Sequence, residues 1–272
     1  MENIKLKEIE VKSIINRSGI LGVDLCINPY VGCQHGCVYC YARFMRKYSG
    51  HMNDSWGSFV DVKINAVEIL KKQMKKLNKG EIIISSVTDP YQPLERRYNI
   101  TRGVLSVLKD YNFPVSILTK SDLVKRDIDF LVEMKDCEVG FTIVTLNDEI
   151  RKDFEPFSSP IDKRLNALEE LAENGIKTYV FLGPILPYLT EETLMDTLKI
   201  TFEMGARHFI IDKLNFKAGN WQDIKDLLTD KYPELLPKYN EIRKTDSSYY
   251  QGIRNAIKRF CVKNKVPYKF CF

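Results

Sequence analysis

Six short β-rich runs, each followed by an amphipathic helical pattern, limit the fold of this chain more than any other feature. They lie near Leu25 to Asn28, at EIIIS (81–85), PVSIL (114–118), EVGFTIV (138–144), KTYVFL (177–182) and RHFIID (207–212). Repeated βα units with apolar strands imply a parallel sheet whose faces are covered by helices. Thr101 to Tyr111 puts Val104, Leu105 and Leu108 on one helical face, and Lys163 to Asn174 does the same with Leu165, Leu168, Leu171 and Ala172, with Gly175 as its C-cap. A third helix is expected to start at Thr190, with Glu191 and Glu192 at the positive end of its dipole, and to stop before Gly205. At 272 residues and 44% hydrophobic, the chain is long enough for one α/β barrel-sized domain. The expected fold is α/β: a partial (β/α)6 TIM-like barrel over 21–216, after an N-terminal extension (1–20) and before a helical C-terminal extension (217–272) that packs on it.

The chemistry is concentrated in NPYVGCQHGCVYCYAR, where Cys33, Cys37 and Cys40 form a CxxxCxxC run. An electron-transfer 4Fe-4S cubane takes four cysteines, one per iron, so three close thiolates leave one iron open to substrate or cofactor. The competing reading is zinc, with His35 or a distant cysteine as fourth ligand, but zinc motifs usually bring paired elements and no second CxxC, CxxH or HxxxH occurs. Seven cysteines is an odd count in a chain too large to need disulfide staples. No signal peptide or bilayer-length apolar run is present, so a reducing cytoplasm and no membrane contact are expected. The formal charge of +5 neither demands nor excludes a nucleic-acid partner. Lys71, Lys72, Lys75, Lys76 and Lys79 share a segment with Ala66, Leu70, Met74 and Leu77 at helical spacing, which makes the lysines a solvated face.

In a parallel α/β sheet, the loops after the strand C-termini carry function. The cysteine run follows the first expected strand, and polar clusters follow the others at Ser85 to Glu95, Thr119 to Ser121, Thr145 to Asp148, Gly183 to Leu189 and Lys213 to Asn215.

The stretches NPYVGCQHGCVYCYAR, SSVTDPYQPLERRYNITRGVL, ILTKSDLVKRDIDFL, TLNDEIRKDFEP, SPIDKRLNAL and GPILPYLT occur in order over roughly residues 10–215. Together they resemble the radical S-adenosylmethionine (SAM) proteins related to spore photoproduct lyase, often labelled DNA-repair photolyases. The resemblance implies a barrel of the radical SAM type holding a 4Fe-4S cluster on Cys33, Cys37 and Cys40, with SAM chelated at the open iron. It implies reductive cleavage of SAM to a 5'-deoxyadenosyl radical that abstracts hydrogen from a substrate, with a flavodoxin- or ferredoxin-like reductant supplying the electron. By the same resemblance, Tyr39 lies against the adenine, Lys120 pairs with the SAM carboxylate, and Thr142 donates a hydroxyl to SAM. Arg164 offers a second clamp for that carboxylate, or else pairs with a surface acid. Gly183, with Pro184 and Ile185, matches a strand segment near the adenine where missing bulk allows close backbone approach.

The SSVTDPYQPLE loop sets Asp89, Tyr91, Gln92 and Glu95 among two prolines, as suits groups held over a reactive centre, and Asp89 is the catalytic candidate there. A tight surface turn is the plainer reading. In spore photoproduct lyase a similar loop carries a cysteine that returns hydrogen to the product radical. Here that position is Ser86, a far poorer hydrogen-atom donor, so thymine-dimer lyase activity is not expected. Tyr41, with Tyr39, matches the tyrosines of that lyase's radical relay and is the second catalytic candidate. Cys26 and Cys137 read as core, as do Cys261 and Cys271, against a role for the last two as radical quenchers or auxiliary ligands. His35 reads as a group that tunes the cluster, and the C-terminal helices are expected to close the open side of the barrel. The expected function is radical SAM catalysis on nucleic acid, by family analogy. The alternatives are a peptide or small-metabolite substrate, or a non-catalytic iron-sulfur or zinc protein.

Overall fold

A computed structural model describes residues 4–20, 22–216, 219–245 and 248–272. Lys217, where the C-terminal extension was expected to begin, lies outside these residues, as does Leu21 at the other boundary. In chain order the strands are β1 (Lys5–Ile9), β2 (Ile15–Arg17), β3 (Leu25–Ile27), β4 (Tyr30–Val31), β5 (Phe59–Lys63), β6 (Ile82–Ile84), β7 (Val115–Thr119), β8 (Cys137–Thr142), β9 (Lys177–Ile185), β10 (Ala206–Lys213) and β11 (Tyr268–Phe270). The helices are α1 (Ala66–Met74), α2 (Glu95–Tyr98), α3 (Ile100–Leu108), α4 (Ile128–Leu131), α5 (Asp148–Phe154), α6 (Ile161–Glu173), α7 (Leu194–Glu203), α8 (Trp221–Lys231), α9 (Leu236–Thr245) and α10 (Tyr249–Asn264).

All six expected strands form, and they pair in chain order as the parallel run β3-β6-β7-β8-β9-β10. β2 adds antiparallel to β3 and β11 adds parallel to β10, so the sheet ends in these two strands and the barrel is partial. A separate sheet, β1-β5-β4, stands beside it. The C-terminal region is thus not purely helical. Lys265 turns left-handed (φ 55°) to end α10, and the chain then lays Tyr268–Phe270 along β10.

Strand alternation divides the main sheet into two faces. Ile27, Ile82, Ile84, Val115, Ile117, Val139, Phe141, Val180, Leu182 and Phe209 pack outward into one core with Leu70, Val104, Leu105, Leu168, Leu171 and Leu198 from the helices. Truncating any one of these leucines or isoleucines to alanine costs ~2–5 kcal/mol. The concave face carries Cys26, Ile83, Ser116, Leu118, Gly140, Thr142, Tyr179, Phe181, Gly183 and Asp212. Tyr179 plugs its lower end. A Cβ on Gly140 would lie 2.1 Å from the Tyr179 ring, which stacks on His208 at 4.8 Å.

Helix α6 ends as expected, with Gly175 at φ 79° and the Ile176 N–H donating back to Leu171 O at 3.1 Å. Helix α7 starts at Leu194 rather than Thr190, because the Thr190 hydroxyl accepts from Leu186 N at 2.9 Å and is committed to the preceding loop. The α1 lysines are exposed while Ala66, Leu70 and Met74 are buried. No helix among the described residues is long and apolar enough to cross a membrane.

Candidate functional site

The cysteine loop leaves β4 at the C-terminal end of the sheet and runs into a 3-10 helix, Tyr41–Tyr48. Two close backbone approaches shape it. A Cβ on Gly32 (φ 83°) would lie 2.4 Å from Phe59 O, and one on Gly57 (φ 100°) would lie 2.8 Å from Gly36 Cα, so the loop is pressed against the segment leading into β5. The loop after β6 grips it from another side. Gln34 N donates to Gln92 Oε1 at 2.9 Å, Leu94 N to Gln34 Oε1 at 2.5 Å, and the Thr88 hydroxyl to Gly32 O at 2.5 Å. Further along, Val38 N donates to Phe154 O at 2.9 Å and Asn220 Nδ2 to Tyr39 O at 2.7 Å, while Arg43 reaches Val38 O, Cys40 O and Asp223. Cys37 and Tyr39 form an apolar cluster with Phe154 of α5, Ile224 and Leu228 of α8, and Tyr239 of α9. The C-terminal helices α8 and α9 therefore roof the cysteine loop, while α10 and β11 pack at the β10 edge of the sheet.

Cys33 and Cys37 are buried and Cys40 nearly so. Burial pushes the Cys33 thiol up to about 12, and raises Cys37 and Cys40 as well, against the pull of the Lys120 charge on the latter two. Backbone N–H groups of His35 and Asp89 face the Cys33 sulfur, and that of Ala42 faces Cys40. Such thiols stay protonated until a metal displaces the proton. Among the described residues no three His, Cys, Asp or Glu side chains converge on one ion. A cubane cluster gives each thiolate its own iron. Three thiols in one braced loop, two of them buried and the third partly so, with a cation beside them, fit the cluster.

Lys120 follows β7, with its Nζ 5.7 Å from the Tyr39 ring centre and its charge set among Cys37, Glu155, Asp89 and Cys40. Thr142, on β8, is fully buried and its hydroxyl has no protein partner, which leaves a donor available to a bound molecule. Tyr39 donates its hydroxyl to Glu155. Tyr41 donates to Ser86 O, and its hydroxyl end lies near Cys40, Lys120, Asp212 and Cys26 although the residue is half exposed.

Three expected site residues have different duties. Arg164 is wholly buried and meets no surface acid. Its guanidinium donates to Glu155 Oε2 (2.5 Å), the Ser158 hydroxyl, Ser159 O (2.8 Å) and Thr142 O (2.8 Å), so it holds Glu155 and the end of β8. At Gly183 the missing Cβ makes room for the Phe181 ring, 2.3 Å from where it would sit. Asp89 faces inward as a brace. It accepts from the Thr119 hydroxyl (2.7 Å), Tyr91 N (2.9 Å) and Lys120 N (2.8 Å), and its Oδ2 lies 3.3 Å from His35 Nδ1, off the hydrogen-bond line. Burial alone would raise the Asp89 carboxyl, but His35, Lys120 and Thr119 hold it down at about 2. With hydrogen bonds to a charged group worth ~1.5–3 kcal/mol each, Asp89→Ala is expected to destabilise the metal-free protein by about 3 kcal/mol in urea unfolding. The exposed Asp230→Ala is expected to stay within about 0.5 kcal/mol.

Glu95 is likewise structural, accepting from Tyr30, Thr101 N (2.9 Å), Arg102 N (3.2 Å) and Arg126 (2.7 Å). Sequence reasoning missed Glu155, whose partners Tyr39 and Arg164 come from distant segments. Cys26 is buried, as expected. The Asn28 amide contacts both the Cys26 sulfur (3.5 Å) and the Ser86 hydroxyl (3.3 Å), and Cys26 occupies the concave face. Cys137 and Cys261 are core as expected, but Cys271 is exposed.

The family model described as the Radical SAM superfamily matches residues 27–200. An uncharacterized protein of Methanocaldococcus jannaschii is 41% identical over 258 residues, covering 94% of each chain. A protein of Pseudomonas phage M6 named radical SAM Nalpha-GlyT isomerase is 23% identical over 186 residues, 67% of this chain and 38% of that one. Among solved structures, a spore photoproduct lyase variant with bound AdoMet and dinucleoside spore photoproduct aligns with a TM-score of 0.62 at 13% identity, covering 97% of this chain and 80% of that one.

Proposed function

Because this chain belongs to the radical SAM superfamily, we propose that it abstracts a hydrogen atom from a nucleic-acid substrate bound over the concave face of its sheet. Members of the superfamily use a 4Fe-4S cluster and S-adenosylmethionine, and they need a reductant. When bound, that pair supplies a 5'-deoxyadenosyl radical, the hydrogen-abstracting species. The observation that carries the reading is the loop of three sheltered thiols set beside Lys120 at the C-terminal end of a parallel sheet.

Each residue then has a task. Cys33, Cys37 and Cys40 hold three irons and leave the fourth open. Lys120 holds the SAM carboxylate by a charge-assisted bond, with the Asp89 carboxylate fixing its backbone N–H. Thr142 offers its unpartnered hydroxyl to the same molecule. Tyr39 keeps its ring against Lys120 while Glu155 and Arg164 fix its hydroxyl end, and the α8–α9 roof keeps water from the loop. Tyr41, held on Ser86 O at the open side of the cleft, contacts the substrate. The dinucleoside in the spore photoproduct lyase structure favours nucleic acid over peptide.

The test is anaerobic reconstitution with iron and sulfide, then dithionite and SAM. Formation of 5'-deoxyadenosine is the expected result, and intact SAM with zinc in the protein would overturn the reading. Oligonucleotides deuterated at the sugar or base are expected to transfer deuterium into 5'-deoxyadenosine. Transfer only from labelled peptides or metabolites would move the substrate to those classes.

A further inference from the structure

We infer that the exposed face of the 3-10 helix Tyr41–Tyr48 is a stacking platform for single-stranded nucleic acid, leading the strand to the cleft. The inference rests on the proposed nucleic-acid substrate and narrows it to unpaired strands.

Ring exposure is the first observation. Tyr41, Phe44 and Tyr48 expose 48%, 40% and 77% of their surface. One exposed aromatic needs no explanation, but three on a single short helix form the kind of patch that marks a contact surface. The three-residue period of a 3-10 helix sets Tyr41, Phe44 and Lys47 in one row, with Tyr48 beside them. Phe44 and Tyr48 meet edge-on, their ring centres 6.3 Å apart and their planes at 79°. In an edge-on pair the ring that offers its edge keeps both faces uncovered, and an uncovered face is what a base stacks on.

Charge is the second. Between Asp24 and Asp54 the chain has no acidic residue, while Arg43, Arg46 and Lys47 all fall on this helix. Arg43 is buried and meets Asp223. Arg46 donates only to the backbone oxygens of Arg43 and Asp54, Lys47 is exposed, and neither pairs with a carboxylate among the described residues. Uncompensated cations between open rings suit a phosphate backbone that carries bases.

Place is the third. Tyr41 donates its hydroxyl to Ser86 O at the open side of the cleft, so the row of rings begins where the substrate is proposed to sit. At about 2 Å of rise per residue the helix extends ~14 Å from there, which is roughly four nucleotides of stacked strand. In a duplex each base face is already covered by its neighbours, so only unpaired bases can use these rings.

The test is binding of a short, unstructured, fluorescein-labelled oligonucleotide to the anaerobically reconstituted protein, read by anisotropy. Phe44→Ala and Tyr48→Ala are each expected to weaken binding by about 5- to 100-fold, the loss of one stacked base. Tyr48→Trp keeps a ring face and is expected to bind at least as tightly as wild type. Lys47→Gln is expected to flatten the plot of log Kd against log salt by about 0.7, one phosphate contact on a single strand. Wild-type affinity in both alanine variants overturns the inference and leaves the nucleic-acid substrate standing. If those variants instead accept electrons more slowly from reduced flavodoxin, the face belongs to an acidic electron donor. Tighter binding of the matching duplex than of the single strand also overturns the inference. A second measurement leaves the protein unaltered. A strand carrying 5-iodouracil, irradiated on the wild type, is expected to cross-link to Phe44 or Tyr48. Adducts confined to other segments overturn the inference even if the alanine variants misfold. A wild type that forms 5'-deoxyadenosine yet binds no oligonucleotide would sink the nucleic-acid reading, and the inference with it.

Discussion

Cys37→Ala, reconstituted without oxygen beside the wild type, is expected to lose the EPR signal of the reduced cluster and to form 5'-deoxyadenosine at under about one-thousandth of the wild-type rate. The magnitude follows from comparison: outer-shell partners of metal ligands are worth ~10–100-fold, and here a ligand itself is removed. Cys37 is the most informative of the three because its side chain is packed with Phe154, Ile224 and Leu228. Alanine shortens it without adding bulk, so circular dichroism should report an intact fold. A variant that retains cluster and turnover would show that the iron is held elsewhere. Cys271, exposed and at the far edge of the sheet, is the contrasting control. Its alanine variant should match wild type in iron content.

The second large effect is structural. Arg164 and Glu155 are both fully buried and joined at 2.5 Å. Removing one member of such a pair strands the other's charge, which costs ~3–5 kcal/mol. Arg164→Leu is therefore expected to lower the melting temperature by about 10 °C, at ~2–4 °C per kcal/mol for a chain of this size. Adding Glu155→Gln removes the stranded charge and should recover part of the loss. The sign of the pH dependence is fixed. Burial pushes the Glu155 carboxyl up, but Arg164 and Lys120 more than offset it and hold the folded group below its ordinary value. The pair's contribution is then complete above the unfolded carboxyl's pKa near ~4.3 and fades as pH falls through the folded value, so wild type and Arg164→Leu should converge in acid. A melting difference that stays constant down to acid pH would contradict this account of the pair.

The barrel was legible because its strands are apolar and its helices periodic, and both signals are local. β3, β6, β7, β8, β9 and β10 all fall where the sequence runs placed them. β1, β2, β4, β5 and β11 were not read, and each takes its place by pairing with a strand outside its own run of sequence. The candidate cluster loop was legible because three cysteines sit within eight positions. Their surroundings were less so. Asp89, Gln92 and Glu95 were grouped correctly as one loop, yet whether a buried polar side chain faces a ligand or braces its neighbours depends on partners the loop does not contain. Gln92 braces Gln34, and Glu95 braces the start of α3. Arg164 shows the same limit, because its acid, Glu155, is recognisable only once β8, α5 and α6 are assembled.

The helices that shelter the cysteines have a consequence in time. A ribosome finishes the cysteine loop at Cys40 long before it makes Trp221, the first residue of α8, and Tyr239 of α9 comes later still. Until then the nascent protein presents its thiols bare, to oxygen and to stray metals alike. On the proposed reading, a sheltered cluster has to wait for α8 and α9, and a product cut short before α8 would keep Cys33, Cys37 and Cys40 yet lack the side chains that cover them.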